Sequence, residues 1–137
     1  MAEGGCLCGA LRYRVEGKPL DAGYCHCTMC QRSTGATALA WISFPVAAFA
    51  YIEGEPTIYP SSAWGQREFC GRCGAQICFR GTAEDATTIE INAGGLDDPA
   101  AFPPDHHIFS ADRIPWFETA DDFPHYETWK PGNEPER

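Results

Sequence analysis

The sequence has few basic residues and nowhere more than two of them together. Lys and Arg number 10 against 19 Asp and Glu, so the formal net charge is −9. Proteins that bind nucleic acids or anionic membrane surfaces usually do so through a basic face. We therefore expect no nucleic-acid partner and no membrane partner for this chain.

We also expect no secretory signal and no membrane-spanning stretch. The segment from Met1 to Cys6 has neither the basic region nor the apolar region of a secretory signal. Residues 33–52 carry no charge, but Ser, Thr, Gly and Pro interrupt them, so two buried strands with a turn at Pro45 are expected. These absences predict a cytoplasmic protein, and in a reducing cytoplasm clustered cysteines bind metal or perform redox chemistry more often than they form disulfides.

Alternation of apolar and polar residues predicts a mainly β chain. Leu11, Tyr13 and Val15 share one face of a short segment whose other face carries Arg12 and Arg14. Similar short segments are bounded by Gly, Pro or Ser, and residues 28–33 are expected to form one short helical turn. The alternative is an α+β domain. The expected strands are 10–15, 38–44, 57–59, 66–69, 76–79 and 87–92.

The chain length suits one domain. With 137 residues and a globular composition, we expect a single zinc-binding domain over residues 1–130. Residues 131–137 are expected to form a flexible C-terminal tail.

Four of the eight cysteines form two short pairs that lie far apart in the sequence. A structural zinc takes four tetrahedral ligands, commonly from two such pairs. Residues i and i+2 of a strand point to the same face, so a Cys-x-Cys strand can offer two thiolates to one ion. The alternative is a set of free core thiols. The four residues are Cys6, Cys8, Cys70 and Cys73.

Three further cysteines, Cys25, Cys27 and Cys30, lie within six residues. Three ligands are one fewer than a closed tetrahedron, and a catalytic zinc keeps one position open. We therefore expect a second zinc with Lewis-acid character. The alternative is a closed site completed by His26, Cys78 or a remote carboxylate. His26 would point to the opposite strand face, and Cys78 lies in an apolar segment typical of a buried core thiol.

Arginines near these cysteines are candidates for binding an anionic substrate. Arg32 lies two residues beyond the last cysteine of the triplet, and Arg67 precedes the Cys-x-x-Cys pair. Arg72 and Arg113 are further candidates. The alternative for each is a solvated surface charge.

The cysteines stand within longer motifs, which are Gly5-Cys6-Leu7-Cys8-Gly9-Ala10, Cys25-His26-Cys27-Thr28-Met29-Cys30-Gln31-Arg32, Arg67-Glu68-Phe69-Cys70-Gly71-Arg72-Cys73-Gly74 and Pro115-Trp116-Phe117. These motifs resemble the glutathione-dependent formaldehyde-activating family, whose domain is shared by a centromere-associated vertebrate protein. The resemblance spans most of the chain. It implies a mainly β, tent-like single domain of short antiparallel sheets held by zinc.

The resemblance also implies an activity. The family's activity is that of a carbon–sulfur lyase, which condenses formaldehyde with glutathione to S-hydroxymethylglutathione, so a small thiol such as glutathione is the expected partner. Two zinc ions per chain are implied, a structural one at Cys6, Cys8, Cys70 and Cys73 and a catalytic one at Cys25, Cys27 and Cys30. The other hypothesis is a non-catalytic, zinc-stabilised β-domain for binding or interaction, because cysteine spacing indicates metal binding and not turnover.

Overall fold

The computed structural model describes residues 1–134, so the last three residues of the predicted tail lie outside the described part. Within the described residues, the tail is connected to β3, because Asn133 Nδ2 donates a hydrogen bond to Asp21 Oδ2 at 2.7 Å. Residues 1–134 form one α-helix and ten strands. They are β1 (Ala2–Gly5), β2 (Arg12–Val15), β3 (Asp21–Cys25), α1 (Thr28–Thr34), β4 (Leu39–Pro45), β5 (Phe49–Glu53), β6 (Thr57–Ser62), β7 (Gly65–Phe69), β8 (Gln76–Gly81), β9 (Thr88–Asn92) and β10 (His107–Ile108).

The strands form two sheets in one small domain. The smaller sheet has the order β1-β2-β5, and the larger has the order β10-β3-β4-β9-β8-β7-β6. All of these pairs are antiparallel except β10 with β3, which is parallel. The mainly β fold expected from the sequence is therefore confirmed, with one parallel pair at an edge of the larger sheet.

The six strands predicted from alternation all form, with ends shifted by up to three residues. The turn at Pro45 and the helical turn after Cys27 are also present. β5 is the strand expected after Pro45, but only its Phe49 is buried. The sequence did not predict β1, β3 and β10. β1 has two glycines in four residues, β3 has one at its centre and β10 is only two residues long, so these strands carry little periodic signal.

The main core lies where the two sheets meet. Tyr13 and Phe49 of the smaller sheet stack with ring centroids 5.2 Å apart. They belong to one buried cluster with Ile42, Phe44 and Ile91 of the larger sheet. Burial of apolar area between the sheets is thus the principal stabilising contact of the fold.

A second buried cluster lies at the other end of the larger sheet. It contains Cys25, Cys30, Trp41 and Ile108, which come from β3, α1, β4 and β10. This cluster places the cysteine triplet against packed apolar side chains. Within residues 1–134 no helix has the length and apolarity needed to cross a membrane.

Candidate metal centres

The four paired cysteines come together between the two sheets. Cys6 and Cys8 lie in the turn after β1, and Cys70 and Cys73 lie in the turn between β7 and β8. Their sulfur atoms all lie within 4.8 Å of one another. A metal held here would connect the turn of the smaller sheet to a turn of the larger one.

The backbone of each turn is shaped to present sulfur atoms. The first cysteine of each turn donates its N–H to the carbonyl five residues on, Cys6 to Leu11 at 3.1 Å and Cys70 to Ala75 at 3.0 Å. Backbone N–H groups also reach sulfur, from Leu11 to Cys6 Sγ at 3.2 Å and from Cys73 to Cys70 Sγ at 3.4 Å. The donor from Leu11 helps to lower the pKa of Cys6 and so favours its thiolate form, which is the form that ligates metal.

One sequence expectation about these turns needs correction. Cys6 and Cys8 are not in a strand, because β1 ends at Gly5 and the Gly9 N–H donates a hydrogen bond to the Cys6 carbonyl at 3.3 Å, which closes a turn there. Two glycines of the second turn have different roles, and only Gly74, at φ 80°, needs the freedom of φ that glycine has. Gly71 is required for a different reason, since a Cβ there would lie 2.5 Å from Thr57 Oγ1.

The four-cysteine group fits zinc. Sulfur atoms about 2.3 Å from a tetrahedral zinc lie about 3.8 Å from each other. The measured separations are 3.6 Å between Cys6 Sγ and Cys8 Sγ and 3.8 Å between Cys8 Sγ and Cys70 Sγ. None of the eight cysteines forms a disulfide.

The cysteine triplet is built around the start of α1. Cys25 is the last residue of β3, Cys27 is the N-cap of the helix, and Cys30 lies in its first turn. The Cys27 sulfur accepts a hydrogen bond from the Cys30 N–H at 3.3 Å. The three sulfur atoms all lie within 4.8 Å of one another.

The electrostatics of the triplet favour a bound cation. The pKa of Cys27 is lowered, first by its hydrogen bond with Cys25 and next by its hydrogen bond with Cys30. The pKa of Cys25 is raised by its hydrogen bonds with Cys27 and Cys30 and by burial. Packed sulfur atoms cannot all ionise without a positive charge among them. Soft thiolate ligands suit zinc.

No fourth Cys, His, Asp or Glu of residues 1–134 joins the triplet group. His26 offers it no ligand atom, because its ring turns toward His107, with His26 Nε2 2.8 Å from His107 Nδ1. Cys78 is buried in the main core, where its sulfur lies 3.5 Å from Glu68 Oε1, and burial raises its pKa. The proposed core location of Cys78 is therefore confirmed.

One of the candidate arginines reaches the triplet. Arg67 Nη2 lies 4.0 Å from Cys30 Sγ. The side chains of Arg32 and Arg72 are exposed and form no hydrogen bond or ion pair with any residue in the range 1–134. The Arg113 side chain binds within its own loop, where its Nη1 donates a hydrogen bond to the Phe117 carbonyl at 2.6 Å.

Sequence reasoning missed a histidine cluster behind the triplet. His107 is fully buried, and its Nε2 lies 3.1 Å from each carboxylate oxygen of Asp121. Its ring stacks on that of His125, with centroids 4.1 Å apart. The adjacent pair His106-His107 in an apolar segment was the available signal. The ligand atoms of His107, Asp121 and His125 also lie within 4.8 Å of one another.

The fold and site define a small two-sheet β-domain with two cysteine centres suited to zinc. The chain belongs to the family described as glutathione-dependent formaldehyde-activating enzyme, whose sequence profile matches residues 1–112. The family resemblance seen in the cysteine motifs is therefore confirmed.

Individual relatives agree with this assignment. A Halomonas elongata protein, provisionally named as a glutathione-dependent formaldehyde-activating enzyme, is 26% identical over 127 residues, covering 86% of this chain and 80% of the relative. A Schizosaccharomyces pombe protein named as an uncharacterized lyase is 30% identical over 85 residues, which is 56% of each chain. The crystal structure of a Rhodobacter sphaeroides protein superposes with a TM-score of 0.57 at 24% identity, covering 69% of this chain and 87% of that one, and supports the fold.

Proposed function

We propose that this protein is a zinc-dependent carbon–sulfur lyase that forms or cleaves the adduct between a small thiol such as glutathione and formaldehyde or a related small electrophile. The observation that carries the proposal is the triplet of Cys25, Cys27 and Cys30, which no fourth ligand from residues 1–134 completes. The family's activity and a lyase-named relative support it. The eight free cysteines fit a reducing cytoplasm as the location.

In the forward direction a sulfur–carbon bond forms, the carbonyl π bond opens, and the thiol proton ends on the former carbonyl oxygen. Cys25, Cys27 and Cys30 would hold a zinc, which when bound supplies a Lewis acid and a soft partner for sulfur. A separate zinc with a structural role would be held by Cys6, Cys8, Cys70 and Cys73.

The chain itself supplies position and charge. Arg67 lies beside Cys30 and is partly buried, so its guanidinium can hold an anionic group of the thiol substrate near the triplet. Arg32 lies on the exposed side of α1, in its last turn, and is a second candidate for this role. Holding both reactants beside each other contributes to rate by removing the entropy of their encounter.

The test uses protein in which cobalt replaces zinc. Adding glutathione should change the thiolate-to-cobalt absorption, whereas S-methylglutathione, which lacks the thiol, should leave it unchanged. With zinc-loaded protein, exchange between formaldehyde and S-hydroxymethylglutathione, followed by NMR, should be faster than in buffer. An unchanged spectrum together with unaccelerated exchange would reject the proposal and favour a non-catalytic zinc-stabilised domain.

A further inference from the structure

A row of side chains crosses the larger sheet on the face that carries the triplet. Arg67 on β7 is paired with Phe79 on β8, Phe79 with Glu90 on β9, and Glu90 with Ser43 on β4. Directly paired residues of neighbouring strands point to the same face. These four side chains therefore form one continuous row.

The row begins at the triplet. Arg67 Nη2 lies 4.0 Å from Cys30 Sγ, and the same guanidinium lies 5.3 Å from the centre of the Phe79 ring. At the other end of the row, Ser43 lies two residues after Trp41, which packs in the buried cluster with Cys30. A molecule bound at the triplet would therefore meet this face of the sheet.

Glu90 stands in this row without a counter-charge. Its Oε1 accepts hydrogen bonds from Ser43 Oγ at 3.2 Å and from Thr88 Oγ1 at 3.1 Å. No cationic side chain of residues 1–134 forms an ion pair with it. Glu68, by contrast, is paired with Arg80 at 2.7 Å.

A partly buried carboxylate whose hydrogen-bond donors are all neutral is costly to keep ionised. Burial accordingly raises the pKa of Glu90. A cationic group brought by a ligand would remove this cost, because a charge-assisted hydrogen bond to an ammonium stabilises the ionised form.

We propose that Glu90 binds the ammonium group of the thiol substrate while Arg67 binds its carboxylate. This inference rests on the proposed function and specifies its substrate class as a thiol that carries both charges. Two strand spacings, about 10 Å, separate the backbones of Arg67 and Glu90. This separation favours a thiol peptide with the two charges at different ends over a single amino acid.

The experiment measures binding of two peptides to zinc-loaded protein by calorimetry. The peptides are glutathione and N-acetylglutathione, which keeps the thiol and both carboxylates but has no ammonium. Wild-type protein should bind N-acetylglutathione about tenfold more weakly, the size expected for one hydrogen bond between charged groups. Glu90→Gln, which keeps the size and an acceptor oxygen, should bind glutathione about tenfold more weakly than wild type and bind the two peptides equally.

A matched control is Glu16→Gln, which changes the net charge equally at an exposed position after β2, outside the larger sheet. It should keep the wild-type preference for glutathione. Thermal melting of each variant shows that it is folded before binding is compared.

The outcomes separate this inference from the proposed function. Equal binding of both peptides by wild type, or a preference for glutathione that persists in Glu90→Gln, would overturn the role of Glu90 and leave the lyase proposal standing. If wild type binds neither peptide, the lyase proposal and the role of Glu90 both fail.

Discussion

The imidazole rings of His26 and His107 are joined by a 2.8 Å hydrogen bond between His26 Nε2 and His107 Nδ1. His26 lies between two cysteines of the triplet, and His107 lies on β10, so the bond ties the triplet loop to the edge of the larger sheet. Asp121 accepts from His107 Nε2, which leaves His107 Nδ1 to accept from His26. Burial is the main cause that lowers the pKa of His26 to about 4, and the neighbouring His107 is the next. The His26 ring is therefore neutral at pH 7.

We expect Asp121→Asn to loosen metal binding at the triplet. The carboxylate orients His107, which orients the backbone between Cys25 and Cys27, and loss of such a supporting contact typically lowers metal affinity at least about tenfold. Chelator-driven zinc release should show one ion leaving about tenfold faster and the other unchanged. The neighbouring exposed residue supplies the control, Asp122→Asn, which should release both ions as wild type does. Identical release by the two variants would contradict the orienting role.

Cys8→Ser tests the structural zinc without disturbing the core. The Cys8 side chain is exposed, so its replacement removes almost no packing. Structural zinc contributes on the order of 10 kcal/mol of apparent binding energy in small domains, and loss of one ligand should therefore lower the thermal midpoint strongly while one zinc is released. Leu7→Ser changes an adjacent side chain that is 89% exposed and should keep wild-type melting and zinc content. Wild-type melting and two bound zinc ions in Cys8→Ser would rule out the four-cysteine site.

Cys27→Ser should separate the two metal centres. Serine retains an acceptor at the N-cap of α1, where loss of the cap would cost about 1 kcal/mol, but it is a poor zinc ligand. We expect a folded protein with one zinc and with thiol-adduct exchange at the rate of buffer. Cys27→Ala should give the same metal content with a slightly lower thermal midpoint. Unfolding of both variants would identify the triplet as a second structural centre, whereas loss of zinc with activity retained would place the chemistry elsewhere.

Glu90→Gln should stabilise the protein at neutral pH. Because burial raises the pKa of Glu90 above 4.5, the folded state holds the proton more tightly than the unfolded state. The free energy of unfolding therefore falls as the pH rises from about 4.5 through the raised pKa, and glutamine removes this loss. The variant should melt at a higher temperature than wild type at pH 7 and at nearly the same temperature at pH 4. An equal or lower midpoint at pH 7 would show that the Glu90 carboxylate carries no burial cost.

Much of the metal chemistry could be predicted from the sequence, since ligand type and spacing are local properties. The pairs Cys6-Cys8 and Cys70-Cys73 lie in tight turns, and a turn needs only a few neighbouring residues to form. The strand prediction for Cys6 and Cys8 was wrong, because β1 ends at Gly5 and a hydrogen bond from the Gly9 N–H to the Cys6 carbonyl closes a turn there. The two cysteines nevertheless meet the same partners, since a turn can also direct both sulfurs to one point.

The surroundings of the triplet could not be predicted in the same way. Nothing in the local pattern distinguishes Arg67, which reaches Cys30, from Arg32, which is nearer in sequence and makes no ion pair within residues 1–134. Likewise, the sequence around Glu90 is that of an ordinary alternating strand, and it does not show which residues of the neighbouring strands lie beside Glu90. The sequence by itself determined a mainly β domain with two cysteine centres, because side-chain alternation and ligand spacing act over a few residues. Only the tertiary structure decided which charged groups face the triplet, because that depends on strand order and register between distant segments.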